Sequence, residues 1–353
     1  MIGYYVHHQG LGHLTRLQAV AEHLRSPVTG LSSLPAPASW DGPWMQLERD
    51  DALAPEQAAS ADATAHGVLH WVPRHDEGLA GRAAAVSAWI RRARPSLVVV
   101  DVSVEVALLS RLCGVPVVVL AMPGVRTDRT HSLAYDVADA LLAPWPDGAH
   151  TDGWPEAWRA KLWTVGGLSR FDGRRPAGAA ERLAPAGRTD VDAPRRVLLL
   201  WGGGGHGTSA VQVAAARAAT PGWEWVERGP GSPSPDLWSE LATADVVVTH
   251  GGQNAVAEVA AARRPAVVVA QPRPFDEQVA TARAVDRLGA AVGVDTWPAA
   301  ADQWPGLLDR ALHRGGDGWR RWSTGHGAAT AAAHLDALAD RDVRARPATR
   351  TAS

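Results

Sequence analysis

The stretch "GLGHLTR", Gly10–Arg16, sets a Gly-x-Gly turn, a histidine and an arginine directly after an apolar run. A glycine turn that opens a helix brings backbone amides close to a ligand. His13 and Arg16 then fall in the first helical turn, facing a ligand rather than a core. An imidazole with its ordinary pKa near ~6.5 accepts a hydroxyl proton at neutral pH, so His13 is the candidate base. "SLVVVDVSVE" ends an apolar run on Asp101 and adds Ser103 and Glu105. An acid at the carboxyl end of a buried strand stands at the rim of a cleft, where Asp101 orients His13, binds an acceptor or caps the next helix. Arg126, Asp128, Arg129 and His131 form a polar group expected in a loop on the same rim.

A second constellation lies in "THGGQNAVAEVAAARRPAVVVAQPRPFDEQ". His250, Gly251, Gly252, Gln253 and Asn254 occupy a strand-to-helix turn whose free amides and dipole favour an anion. Glu258 lies one turn into that helix, where a carboxylate suits a vicinal diol. Asp276, Glu277 and Gln278 follow the next strand at its carboxyl end, the edge where open α/β sheets bind ligands.

Alternating strand and helix patterns must position these groups. In the first half, strands are expected at Ile2–His7, Val28–Leu31, Met45–Leu47, Leu97–Asp101 and Val115–Leu120. Helices are expected at Thr15–Arg25, Gly81–Arg92 and Val104–Cys113. Such alternation argues a parallel sheet covered by helices. A Pro/Gly-rich stretch follows, and then the pattern restarts with "RRVLLLWGGGGHGTSAVQV". The fold class is α/β, with two Rossmann-like domains facing a cleft. The expected boundaries are 1–170 for the first domain, 171–195 for a linker, 196–340 for the second domain and 341–353 for a disordered tail. An alanine-rich helix, Ala328–Leu338, closes the second domain.

The chain has 353 residues, too many for one comfortable core. A net charge of −2 gives no electrostatic support for nucleic acid. The lone Cys113 rules out a disulfide within the chain and reads as a small buried residue. The first residues read as a strand, and no apolar run reaches membrane-spanning length. A cytoplasmic protein is expected, with peripheral contact at the inner membrane face left open. His7, His8 and His13 have no carboxylate cluster nearby in sequence, so no metal is expected. The Asp-x-Asp at Asp190–Asp192 lies in the linker and reads as chance. Among the 16 tryptophans, Trp71, Trp89 and Trp145 are candidates to line the cleft.

"HGGQNAVAE" resembles the donor signature of the GT-B glycosyltransferases, His-x-Gly-x-Asn-Ser followed by Glu. His250, Gly252, Asn254, Glu258 and Gln278 match; Ala255 replaces the serine and Glu277 the usual aspartate. "GLGHLTR" and the glycine loop Gly203, Gly204, Gly205, His206 and Gly207 resemble the two loops of the MurG-like branch, which makes the lipid-linked peptidoglycan disaccharide. Arg16 stands where that branch often has proline. The resemblance implies that His250 and Asn254 contact the diphosphate, Glu258 the ribose and Gln278 the sugar. It also implies inverting, metal-independent transfer with no cofactor beyond the nucleotide-sugar co-substrate, most simply UDP-linked. The acceptor, a lipid-linked or small-molecule hydroxyl, would meet Gly10, Gly12, Arg16, Glu105, Arg126, Asp128 and His131. Two alternatives stay open: a nucleotide-sugar hydrolase of the pseudaminic-acid-pathway type, whose Gly-x-Gly-His-x-x-Arg loop "GLGHLTR" also fits, and a non-catalytic sugar-nucleotide sensor.

Overall fold

The computed structural model describes residues 1–51, 53–176, 194–203 and 207–345. Two parallel sheets form. The first takes the order β3-β2-β1-β4-β5-β6-β7, with β1 Ile2–Val6, β2 Val28–Ser32, β3 Trp44–Gln46, β4 Leu97–Asp101, β5 Val117–Leu120, β6 Ala140–Ala143 and β7 Leu162–Thr164. The second takes the order β12-β11-β10-β8-β9, with β8 Arg195–Leu200, β9 Trp223–Arg228, β10 Val246–His250, β11 Ala266–Val269 and β12 Val292–Val294. Helices cover both faces, so the central strands read as unbroken apolar runs such as "LVVVD" and "VVVTH".

Strand order reverses between β1 and β4 in the first sheet and between β8 and β10 in the second. Loops diverge at such switch points and leave a crevice. The loop after β1 carries His13, and β4 ends on Asp101. The loop after β8 is glycine-rich, and β10 ends on His250. Both candidate constellations therefore stand at the one place in each sheet where the topology opens.

The helices leaving β1 and β10 are α1, Gly12–Ala21, and the helix Gln253–Ala262. Neither has a side-chain cap at its N-terminus. The helix Val104–Leu112, by contrast, is capped by Ser103, and Arg129–Val137 is capped by Asp128. Uncapped amides remain for ligands and opposing groups.

Several expectations change. Ser103, not Asp101, caps the helix after β4, which frees Asp101 for the cleft. Arg129 and His131 lie in a helix rather than a loop. The final helix spans Gly327–Ala345, so residues 341–345 are helical rather than a tail. Its Ala328, Ala331, Ala332 and Leu335 pack against Ile2, Tyr4, Leu17 and Leu97. By packing it belongs to the first sheet and not to the second domain that chain order predicts for 196–340. Its Asp336 is buried and accepts from the Arg25 and Ser26 amides at 3.0 and 3.1 Å. The Asp190–Asp192 motif, most of the 171–195 linker and residues 346–353 lie outside the described residues.

Candidate active site

His13 Nδ1 lies 2.8 Å from Asp101 Oδ1. Asp101 is fully buried. Burial pushes its carboxyl up, but Arg16 and His13 outweigh that and hold it below the usual carboxylate range. An ionised carboxylate only accepts, so Nδ1 carries the proton and Nε2 keeps the lone pair that a base needs. Val102, the next residue, has φ +65°. A β-branched residue rarely adopts that region, and strain of this kind gathers at functional sites.

Arg16 is buried and does not face an acceptor. Its Nε and Nη2 donate to Asp101 at 2.9 and 3.2 Å, and its Nη1 donates to Gln253 Oε1 at 2.7 Å. Asn254 Nδ2 donates to the Gly12 carbonyl at 3.0 Å. The starts of the two uncapped helices thus meet across the cleft. Gly10 has φ +87°, where glycine fits without strain.

A cavity of about 830 Å³ opens beside His13. Its wall is largely apolar: Leu69, Val72, Leu79, Val86, Val106 and Leu109. His7, Glu105, Arg126, His131 and Glu277 add polar groups. His7 stacks on His8 at 4.8 Å and meets His13 edge-on at 5.9 Å. Burial, then the neighbouring histidines, lowers the His7 pKa to about 3, which keeps it neutral. Glu105 accepts from the His70 and Trp71 amides at 2.8 and 3.2 Å, pinning a loop of the cavity wall. Asp128 caps its helix and binds His131 Nδ1 at 2.5 Å. Burial, then Arg126, lowers the His131 pKa to about 4.

The second domain closes the cavity mouth with Phe275 and Glu277. Arg126 Nη2 donates to Glu277 at 2.9 Å, and its guanidinium lies 4.4 Å from the Phe275 ring. The Val125 amide donates to the Phe275 carbonyl at 2.8 Å. Gly124 permits this approach, since a Cβ there would stand 2.1 Å from that carbonyl.

On the donor side, His250 Nδ1 accepts from the Gly252 amide at 3.0 Å. Its Nε2 faces the glycine loop, where a Cβ on Gly202 would stand 2.6 Å from it. Burial, then Arg273, lowers the His250 pKa to about 4, so the ring is neutral at pH 7. Gln278 is buried, and its Oε1 accepts from the Gly251 and Gln271 amides at 3.1 and 3.0 Å. It holds the turn rather than offering that oxygen to a sugar. Gln271 accepts from the Gly207 amide at 2.9 Å and so positions the glycine loop. Glu258 pairs with Arg170 at 2.8 Å, and burial, partly offset by Arg170, raises its pKa. Gly203 is described, while Gly204, Gly205 and His206 lie outside the described residues.

Sequence reasoning missed Gln271, Phe275 and the α-helix Glu77–Ala93 as a cavity wall. The stripe Leu79, Arg82, Val86 at helical spacing was the available signal. Trp71 lines the cavity, whereas Trp89 and Trp145 are buried in the core. Two His/Asp groups have the closeness of metal ligands: His8 with Asp50 and Asp51, and His70 with Asp128 and His131. In the first, Arg82 pairs with Asp50 and Arg49 with Asp51. In the second, Asp128 already serves as a cap and Arg126 adjoins His131. These cations offset the charge that would attract a metal.

Two switch-point crevices facing each other, one holding a His–Asp pair and the other a glycine turn, define the GT-B fold of glycosyltransferases. Residues 234–301, which include the His250–Gln278 block, match the family model for the glycosyltransferase family 28 C-terminal domain. The UDP-N-acetylglucosamine–N-acetylmuramyl-(pentapeptide) pyrophosphoryl-undecaprenol N-acetylglucosamine transferase of Chelativorans sp. (strain BNC1) is 37% identical over 78 residues. That match spans 22% of this chain and 21% of the relative. Acinetobacter baumannii MurG is similar in structure, with a TM-score of 0.63 at 17% identity over 96% of this chain and 99% of that one. A spinosyn rhamnosyltransferase complexed with thymidine diphosphate gives 0.59 at 17% identity, over 97% of this chain and 96% of that one.

Proposed function

We propose that the chain is an inverting, metal-independent glycosyltransferase. It moves a sugar from a nucleotide-diphosphate sugar, UDP-linked, to an acceptor hydroxyl. The observation that carries this reading is the His13–Asp101 pair, set at 2.8 Å beside a large apolar cavity and facing the donor signature. In this reading the acceptor lies in the cavity and His13 Nε2 takes its hydroxyl proton. The oxygen attacks the anomeric carbon, the bond to the diphosphate breaks, and the nucleoside diphosphate leaves. The uncapped helix start at Gln253 and neutral His250 offset its charge, a preorganised electrostatic role. Glu258 holds the ribose diol once Arg170 yields one oxygen.

The apolar wall, with Leu69, Val72, Val86 and Leu109, suits an apolar acceptor. The Chelativorans relative is named for an undecaprenol-linked acceptor. An apolar small molecule or a lipid-linked hydroxyl therefore fits the cavity best. No helix among the described residues is long and apolar enough to cross a membrane; action in the cytoplasm at the inner face of the membrane is part of the same proposal.

The test incubates the protein with UDP-, dTDP- and GDP-sugars in EDTA, with and without cell-extract acceptors. Nucleoside diphosphate release that requires extract is expected. Release with water alone would replace transfer by hydrolysis, and donor binding without release would leave a sensor.

A further inference from the structure

Two groups compete for one atom of the candidate base. Asp101 Oδ1 lies 2.8 Å from His13 Nδ1, and Arg16 Nη2 lies 3.1 Å from the same nitrogen. A carboxylate accepts and a guanidinium donates, so Nδ1 can satisfy only one of them at a time. Bonded to Asp101, Nδ1 carries the proton and Nε2 is a free base. Bonded to Arg16, Nδ1 is the acceptor, the proton sits on Nε2, and the ring cannot take a proton from an acceptor hydroxyl there.

The direction of the Arg16 guanidinium decides between these states. Its Nε and Nη2 reach Asp101, and its Nη1 reaches Gln253 Oε1 at 2.7 Å. Gln253 is the first residue of the donor-domain helix Gln253–Ala262. The guanidinium is planar and fixed in fork geometry, so a hold on Nη1 restrains Nη2 as well. Asn254 fixes the approach of the two helices through the Gly12 carbonyl. Gln253 Nε2 is buried with no hydrogen-bond partner among the described residues, so no other contact of that amide opposes the hold on Arg16.

We propose that Gln253 selects the tautomer of His13 across the domain interface, through Arg16, so that the base is competent only when the donor domain is docked. The inference rests on His13 being the base. Gln253 and Arg16 are positioning residues, and an undocked donor domain leaves His13 unable to deprotonate water or acceptor.

The experiment is ¹⁵N-histidine NMR on the full chain, with His13 assigned by His13→Asn. The wild type is expected to show Nδ1 protonated and Nε2 unprotonated. Gln253→Leu should move His13 toward the Nε2-protonated form. Gln253→Glu, which keeps an oxygen for Arg16, should restore the wild-type pattern. In turnover, Gln253→Leu should lower kcat about tenfold, a fraction of the ~10²–10⁴ that a positioned base supplies, with donor KM changed less than about twofold. An unchanged tautomer in folded Gln253→Leu overturns the inference. If no donor is turned over even by the wild type, the proposed function fails, while the tautomer measurement still decides this point.

Discussion

The two sides of the cleft bury different things. The first-domain side buries charge: Asp101 and Arg16 are both inaccessible and neutralise each other. Apart from the Glu258–Arg170 pair, the second-domain side buries neutral polarity: His250 held uncharged, Gln278 on two amides, and glycines whose neighbours leave no room for a Cβ. A base must be oriented and its cation stabilised, which calls for an anion behind it. A diphosphate arrives with its own charge and is met by fixed dipoles. The contrast follows from what each side has to do when charge moves in the reaction.

The largest test of the contrast is His13→Ala. Turnover should fall by ~10²–10⁴, while the donor Kd from calorimetry stays put, because the donor side contains no part of the dyad. Equal loss of both would erase the division of labour. Next comes Asp101→Asn, which leaves Arg16 as a buried cation without an anion. Breaking a buried pair from one side costs about 3–5 kcal/mol, to be read from urea unfolding. A wild-type midpoint would mean that the pair carries no stability.

Glu258→Ala probes the other side. A charge-assisted hydrogen bond to a diol is worth about 1.5–3 kcal/mol, so donor Kd should rise roughly 10- to 100-fold. Release of the Arg170 pair offsets little of this, since Arg170 is half exposed. An unchanged Kd would place the ribose elsewhere.

The smallest effect concerns acid. His250 has a folded pKa of about 4, below the ordinary ~6.5 of an unfolded histidine. Between those values the unfolded chain binds a proton that the folded one refuses, so stability falls as pH drops through that window. His7 and His131, with pKa values of about 3 and 4, add losses of the same sign. His250→Asn should make the decline in melting temperature between pH 6.5 and 4 shallower. An identical decline would show that His250 contributes nothing to it.

Much of this was legible in sequence because parallel strands are buried on both faces. "LVVVD" and "VVVTH" announce both the strand and the polar residue that ends it. Positions beside a switch point then follow from chain order alone. The helix Arg129–Val137 escaped because its start, "RTHS", is polar and only its Asp128 cap marks it. The uses of Arg16, Asn254 and Gln278 were not readable. Each depends on a partner that folding alone brings near: Gln253 lies 237 positions from Arg16, and Gly12 lies 242 from Asn254. The matching motif showed where these residues stand and was silent on whether they point at a ligand or at each other.

The helix Gly327–Ala345 returns to the first sheet after the second is complete. The chain therefore passes between the domains twice, and its crossings run side by side where the Gly167 amide donates to the Trp322 carbonyl at 3.0 Å. Anyone building chimaeras that graft a new donor module onto this acceptor module faces two splice points instead of one. A graft that replaces everything after residue 194 would strip Ala331 and Leu335 from the floor beneath β1 and β4 and expose Ile2 and Leu97. Retaining residues 327–345 with the first half keeps that floor intact.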